Sequence, residues 1–125
     1  MMTPEEQRNL DTARNYEELY NNDIERFVRE VYTADCTVYC MGGPTIRGAE
    51  ELLKVEQTIL QAAPERRMRV VHSHAVGDRV IVEAIVTDPA RGKEWELPFV
   101  AVLTCLDGKI HTDRSYAEWP RWPGL

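Results

Sequence analysis

Cysteine is scarce in this chain of 125 residues, with Cys36, Cys40 and Cys105 the only three. An odd count without regular spacing does not build a disulfide framework. Each thiol falls in an apolar stretch, where it behaves as a small hydrophobe, so a reducing compartment is expected. Positive charge is also in deficit. Fifteen Lys and Arg against 21 Asp and Glu leave a net charge of −6, which a phosphate backbone or an anionic membrane surface repels. No nucleic-acid partner is therefore expected. Arg66, Arg67 and Arg69 are the only local basic cluster; following a proline, they read as a solvated loop. No apolar run approaches the roughly 18 residues of a membrane helix. The opening MMTPEEQRNL lacks the basic start and apolar run of a signal peptide. A cytoplasmic protein with no membrane partner is expected. Phosphate loop, dinucleotide fingerprint and nucleophile elbow are all missing, so no cofactor is expected.

What is present has the makings of one globular domain spanning 1–125, with 43% hydrophobic and 29% charged residues and enough length to bury a core. Thr3-Pro4-Glu5-Glu6 is a helix start: Thr3 caps, Pro4 suits the first position, and Glu6 reaches back. Leu10, Ala13, Tyr16, Leu19 and Tyr20 follow at helical spacing. Asp23 caps a second helix with an inner stripe of Ile24, Phe27, Val28 and Val31. Cys36 to Met41 reads as a strand, broken by Gly42-Gly43-Pro44. Gly48 opens a third helix with Leu52, Val55, Ile59 and Ala63 on one face, stopped by Pro64.

The remainder is β. Met68–Val76 and Arg79–Thr87 flank Gly77-Asp78, and Glu94–Leu106 and Lys109–Trp119 flank Asp107-Gly108, a strong two-residue hairpin signal. Helices early and hairpins late predict an α+β fold: three N-terminal helices on one face of a strongly curved, mainly antiparallel sheet. The stretch Pro98–Leu106 is apolar on both faces, where a strand with one wet face would alternate. A second copy of the chain, or the lining of a closed pocket, is expected to cover the side that the helices do not.

These elements together resemble the nuclear transport factor two-like superfamily, also called the SnoaL-like or ketosteroid-isomerase-like fold. The carrying segments are Tyr16–Asp23, Ala34–Met41, Gly48–Leu52, Val76–Glu83 and Leu106–Tyr116. The resemblance covers nearly the whole chain. It implies a cone-shaped, cystatin-like roll with a deep apolar pocket, usually in a homodimer. Its members include isomerases, epoxide hydrolases, polyketide cyclases, dehydratases and non-catalytic binding proteins.

The resemblance also directs attention to single positions. Cys40, with Val38 on the same face, stands where isomerases carry a general-base Asp and hydrolases a water-holding Asn. Ala84 and Val86 stand where hydrolases carry an Arg-x-Asp pair, and Ser115 where cyclases carry an acid before the Tyr. The hydrolase triad is thus missing. Tyr16 matches an oxyanion-binding Tyr of isomerases; the other reading is a buried core tyrosine.

The hairpin at Asp107-Gly108 pairs 106 with 109. Strict alternation then puts His111, Asp113 and Ser115 on one face with Thr104, Val102 and Val100. A carboxylate in an apolar cavity has a raised pKa, which suits proton transfer near neutrality, and His111 or Tyr16 would assist. The alternative for His111 and Asp113 is a solvated rim. His72 and His74 share a face, with His72 expected opposite Glu83 and His74 opposite Ile81. Lacking a third ligand, they do not make a metal site. Two functions stay open: a proton-transfer enzyme of the isomerase, cyclase or dehydratase type on a small apolar carbonyl compound, or a non-catalytic dimeric binding or interaction module.

Overall fold

The computed structural model describes all 125 residues. Helix α1 (Pro4–Asn22) starts as its residues dictate: Thr3 Oγ1 accepts from the Glu6 amide at 3.1 Å, and Glu6 Oε1 accepts from the Thr3 amide at 2.8 Å. Asp23 caps α2 (Ile24–Val31) through the Arg26 amide. Strands β1 (Tyr32–Met41) and β2 (Thr45–Arg47) precede α3 (Ala49–Ala62). Then come β3 (Arg67–Val76), β4 (Arg79–Thr87), β5 (Glu96–Leu106) and β6 (Lys109–Tyr116). Short 3-10 turns at Pro89–Arg91 and Trp119–Arg121 complete the chain.

The six strands lie in the order β2-β1-β6-β5-β4-β3. All neighbours are antiparallel except β1 and β6, which run parallel. The expected α+β architecture is thus present, with the sheet mixed and not closed. Two features lay outside the sequence reading: β2 is a short edge strand, and β1 starts at Tyr32, four residues before Cys36.

The β3–β4 register is the expected one, with His72 opposite Glu83 and His74 opposite Ile81. Leu106 pairs Lys109 across the Asp107-Gly108 turn, where both residues take positive φ (52° and 79°), as a two-residue hairpin twisting with its strands requires. One residue later the alternation breaks. Cys105 pairs Ile110 but Thr104 pairs Thr112, so His111 is the extra residue of a β-bulge. Everything beyond it faces the opposite way from strict alternation.

The core lies between the helices and the inner sheet face. Val80, Val82, Ala84 and Val86 of β4 and Leu97, Phe99, Ala101, Leu103 and Cys105 of β5 point into it. At its centre Phe27 meets Tyr16, Tyr20 and Tyr32 edge to face, with centroids 5.1, 5.3 and 5.5 Å apart. Such ring pairs add about 0.5–1.5 kcal/mol each beyond area burial.

Candidate functional site

A narrow cavity of about 50 Å³ remains between α3 and the inner face of β1, β5 and β6. That is room for a few waters, well below the roughly 300 Å³ where ordinary ligand sites begin. The deep pocket implied by the resemblance is therefore mostly filled by the protein's own side chains. The void is apolar apart from a few groups: Asp113, Ser115, Glu56 and the tyrosines 16, 20 and 32.

Asp113 is 2% exposed and lines this cavity. Tyr32 Oη donates to its Oδ2 at 2.7 Å and Ser115 Oγ donates to its Oδ1 at 2.5 Å. Burial raises its pKa, while these two hydrogen bonds act the other way by favouring the charged form. Burial and the Asp113 charge push the Tyr32 phenol well above its usual value. Tyr32 thus stays protonated as a donor. The bulge at His111 is what turns Asp113 and Ser115 inward. They pair with Leu103 and Ala101, which face the core.

Three expectations fail, the first two because of this bulge. His111 does not share the face of Asp113: its Nδ1 lies 3.1 Å from Thr33 Oγ1 and 3.5 Å from the exposed Asp35 carboxylate, on the outer rim. Val100 and Val102 pair with Tyr116 and Arg114 on the outer sheet face, away from the cavity. Ala84 and Val86 do face inward, but they are packed solid in the core. It is their neighbours in register, Phe99 beside Ala84 and Met68 beside Val86, that reach the cavity wall.

Val38 and Cys40 line the cavity from β1. Burial first, then the charges of Asp113 and Glu56, push the Cys40 thiol up to about 12. It is a neutral wall group, not a thiolate nucleophile. Tyr16 is buried and lines the cavity from α1. Burial and the Asp113 charge raise its pKa well above normal, partly offset by a hydrogen bond with Tyr32. Of these two tyrosines it is Tyr32 whose hydroxyl reaches the Asp113 carboxylate.

Two groups escaped the sequence reading. Glu56 projects into the cavity from α3, and its Oε2 is buried with no hydrogen-bond partner. Burial raises its pKa to about 7; the Arg66 charge pulls it down and the Asp113 charge pushes it up. Its position was legible, because 56 lies four residues after Leu52 and three before Ile59 on the apolar face of the helix. Arg66 is the second. It is 5% exposed, not solvated. Its Nε donates to Tyr20 Oη at 3.1 Å, and its guanidinium stacks on the Tyr20 ring at 4.3 Å. Tyr20 therefore holds the cation, which makes no ion pair with Glu56.

The C-terminal residues roof the cavity. Trp119, Trp122 and Leu125 line it, and Trp119 Nε1 donates to the Met41 carbonyl at 3.0 Å. Gly124 takes a positive φ of 73° and lies so close to α3 that a Cβ there would meet the Thr58 carbonyl at 2.9 Å. Elsewhere, His72 and His74 stack at 6.4 Å, and no cluster of three metal-ligating side chains is present. No helix is long and apolar enough to cross a membrane.

Comparison with known proteins agrees with this architecture. A protein from Jannaschia sp. CCS1 described as a SnoaL-like polyketide cyclase superposes with a TM-score of 0.83 at 19% identity, over 96% of this chain and 92% of that one. An LEH-like epoxide hydrolase from M. tuberculosis gives 0.76 at 17% identity, over 97% and 86%. A ketosteroid isomerase-type protein from Kribbella flavida gives 0.73 at 19% identity, over 89% and 78%. At such identities the likeness is one of fold. No curated protein matches the chain by sequence. The family model of the SnoaL-like domain matches residues 13–112, four-fifths of the length, and the chain belongs to the SnoaL-like family.

Proposed function

We propose that the chain is a proton-transfer enzyme acting on a small, largely apolar carbonyl compound, with Asp113 as the group that takes and returns the proton. The observation that carries this reading is the buried Asp113 carboxylate, held by Tyr32 and Ser115 in an otherwise apolar cavity. Two hydrogen bonds orient the carboxylate, and the dry surroundings raise its basicity. Core packing alone gives no reason to bury a charge there. Tyr32 supplies a hydroxyl to it, and Tyr16 lines the same cavity. The structural relatives described as cyclase, isomerase and epoxide hydrolase belong to the same fold and are consistent with chemistry in this hollow. The void admits a ligand of a few heavy atoms as it stands; a larger one needs the roof of Trp119, Trp122 and Leu125 to shift.

The test is exchange of α-protons of acetone and cyclopentanone in heavy water, followed by proton NMR. Wild-type protein is expected to accelerate exchange. Asp113→Asn is expected to lose about 10²–10⁴-fold of that rate while still giving a ligand-induced thermal shift. Wild-type protein that neither exchanges nor shifts with either ketone refutes the enzymatic reading and leaves a protein-binding role.

We also propose that a second copy of the chain covers the outer sheet face. Val100 and Tyr116 line an open depression there with Pro98 and Ile85, and Ile81 beside Val102 is 42% exposed. Glu83 beside Val100 and Arg114 beside Val102 make the face a mixed one, and its exposed apolar side chains are what a second copy would cover.

A further inference from the structure

The groups of the cavity divide between two walls. Asp113 comes from the sheet and already accepts two hydrogen bonds, which favour its ionised form against the burial that raises its pKa. Glu56 comes from the helical layer, and its buried Oε2 meets no donor at all. A buried carboxylate without donors is costly; the neutral acid is much less so. The six titratable groups whose charges or burial act on this pocket are Tyr16, Tyr20, Tyr32, Cys40, Arg66 and Asp113. Four of them are neutral phenols or a thiol, and the Arg66 hydrogen bonds go to Tyr20. Nothing in the resting molecule occupies the Glu56 acid, which leaves it free to serve a ligand.

We infer that Glu56 is the neutral acid of the site, offering its proton to the oxygen of a bound ketone or aldehyde while Asp113 works on the adjacent carbon. This rests on the proton-transfer reading of Asp113 and assigns the other half of the reaction. The balance is simple. Asp113 takes the α-proton, and the C–H electron pair becomes a C=C bond. The carbonyl π pair moves onto oxygen, which takes the proton of Glu56. The product is an enol between a protonated Asp113 and an ionised Glu56. Return of a proton to carbon regenerates the carbonyl compound, its proton exchanged or relocated, and resets Glu56. Two carboxyls in unlike surroundings, one with two donors and one with none, suit acid and base roles in one step. The tendency of Glu56 to titrate near neutrality fits that role.

The test uses the full chain with acetone as probe. Carbon-13 NMR of the glutamate carboxyls, with Glu56→Gln to assign the resonance, is expected to place Glu56 near neutrality and the exposed glutamates in the ordinary range of about 4.3. Binding is expected to lower the infrared C=O stretch of carbon-13-labelled acetone in wild type and in Glu56→Gln, whose amide also donates, but not in Glu56→Ala. The wild-type exchange rate is expected to fall above neutrality as Glu56 loses its proton, and Glu56→Gln to lose that limb. Glu56→Ala is expected to be slower than wild type by about 10²-fold. A Glu56 carboxyl titrating in the ordinary range, a C=O stretch unmoved in wild type, or the same alkaline limb in Glu56→Gln each overturns the assignment. A stretch that shifts through Glu56 without any exchange supports Glu56 as the oxygen-binding acid and refutes only the role of Asp113.

Discussion

Replacing Glu56 with glutamine removes a group that folding holds in its proton-bound form, and the effect on stability must depend on pH. In the unfolded chain a glutamate titrates near 4.3; in the cavity burial raises the midpoint to about 7. The sign follows from proton binding: the folded state holds this proton more tightly than the unfolded state. Glu56 costs nothing below about pH 4. It becomes a growing penalty as the unfolded chain ionises first, and the penalty levels off above pH 7. The full difference is worth about 3–4 kcal/mol at 1.36 kcal/mol per tenfold in proton affinity. Between pH 5 and pH 8 the penalty grows by about 2–3 kcal/mol. Glu56→Gln escapes it. Any cost of leaving the new amide unpaired is the same at both pH values and cancels. The advantage of the variant over wild type is therefore expected to be larger at pH 8 than at pH 5 by that amount, or roughly 6–12 °C in melting temperature for a domain of this size. Urea unfolding of both proteins at the two pH values measures it. An advantage equal at pH 5 and pH 8 to within about 0.5 kcal/mol, well below the linkage expected, would show that Glu56 is ionised in the folded state and refute the account of a donor-free cavity.

Three further outcomes are expected. Phe27→Ala removes the ring that Tyr16, Tyr20 and Tyr32 pack against edge to face, and urea unfolding should register a loss of about 3–5 kcal/mol; a loss under about 1 kcal/mol means the cluster is not the centre of the core. Tyr32→Phe takes away the hydroxyl that donates to Asp113 Oδ2, so the Asp113 carboxyl should titrate higher than in wild type by carbon-13 NMR, and an unchanged or lower midpoint rejects the bond as a stabiliser of the carboxylate. Val102→Arg puts a charge at the middle of the outer sheet face, and sedimentation at micromolar concentration should find a dimer for wild type and a monomer for the variant; a wild-type monomer removes the dimer proposal.

Much of the fold was legible because its boundaries are set by short-range chemistry. The Thr3–Glu6 box, the Asp23 cap and the Asp107-Gly108 turn each act within a few residues, and two-residue turns fix strand register by themselves. Hence the His72–Glu83 pairing could be read from the chain. The bulge at His111 could not, because the residues Lys109–Tyr116 carry no local mark of an extra residue. Period-two counting put Val100 and Val102 in the cavity and His111 with Asp113, where the shift instead aligns Asp113 with Leu103. The inward direction of Asp113 was read correctly, but on an alternation that had to fail once before reaching it. Glu56 was hidden by its type. A glutamate on a helix is normally solvated, and only its place between Leu52 and Ile59 marked it. Arg66 was hidden likewise, since its partner Tyr20 lies 46 residues away.

The residues that would carry out a reaction and those that admit a molecule to it belong to different parts of the chain. The carboxyls sit on α3 and β6, within the rigid body of the domain. On the proposed reading, the way in lies at the residues around Trp119 and Trp122, held by the indole hydrogen bond, the Trp122 ring against Phe99, Arg121 on the Glu96 carbonyl and a glycine pressed against α3. Altering those last residues would retune which molecules enter, and how quickly they leave, without disturbing the reacting groups. If the proposed reaction holds, one chemical centre in this scaffold could serve different guests through changes in the segment that follows β6.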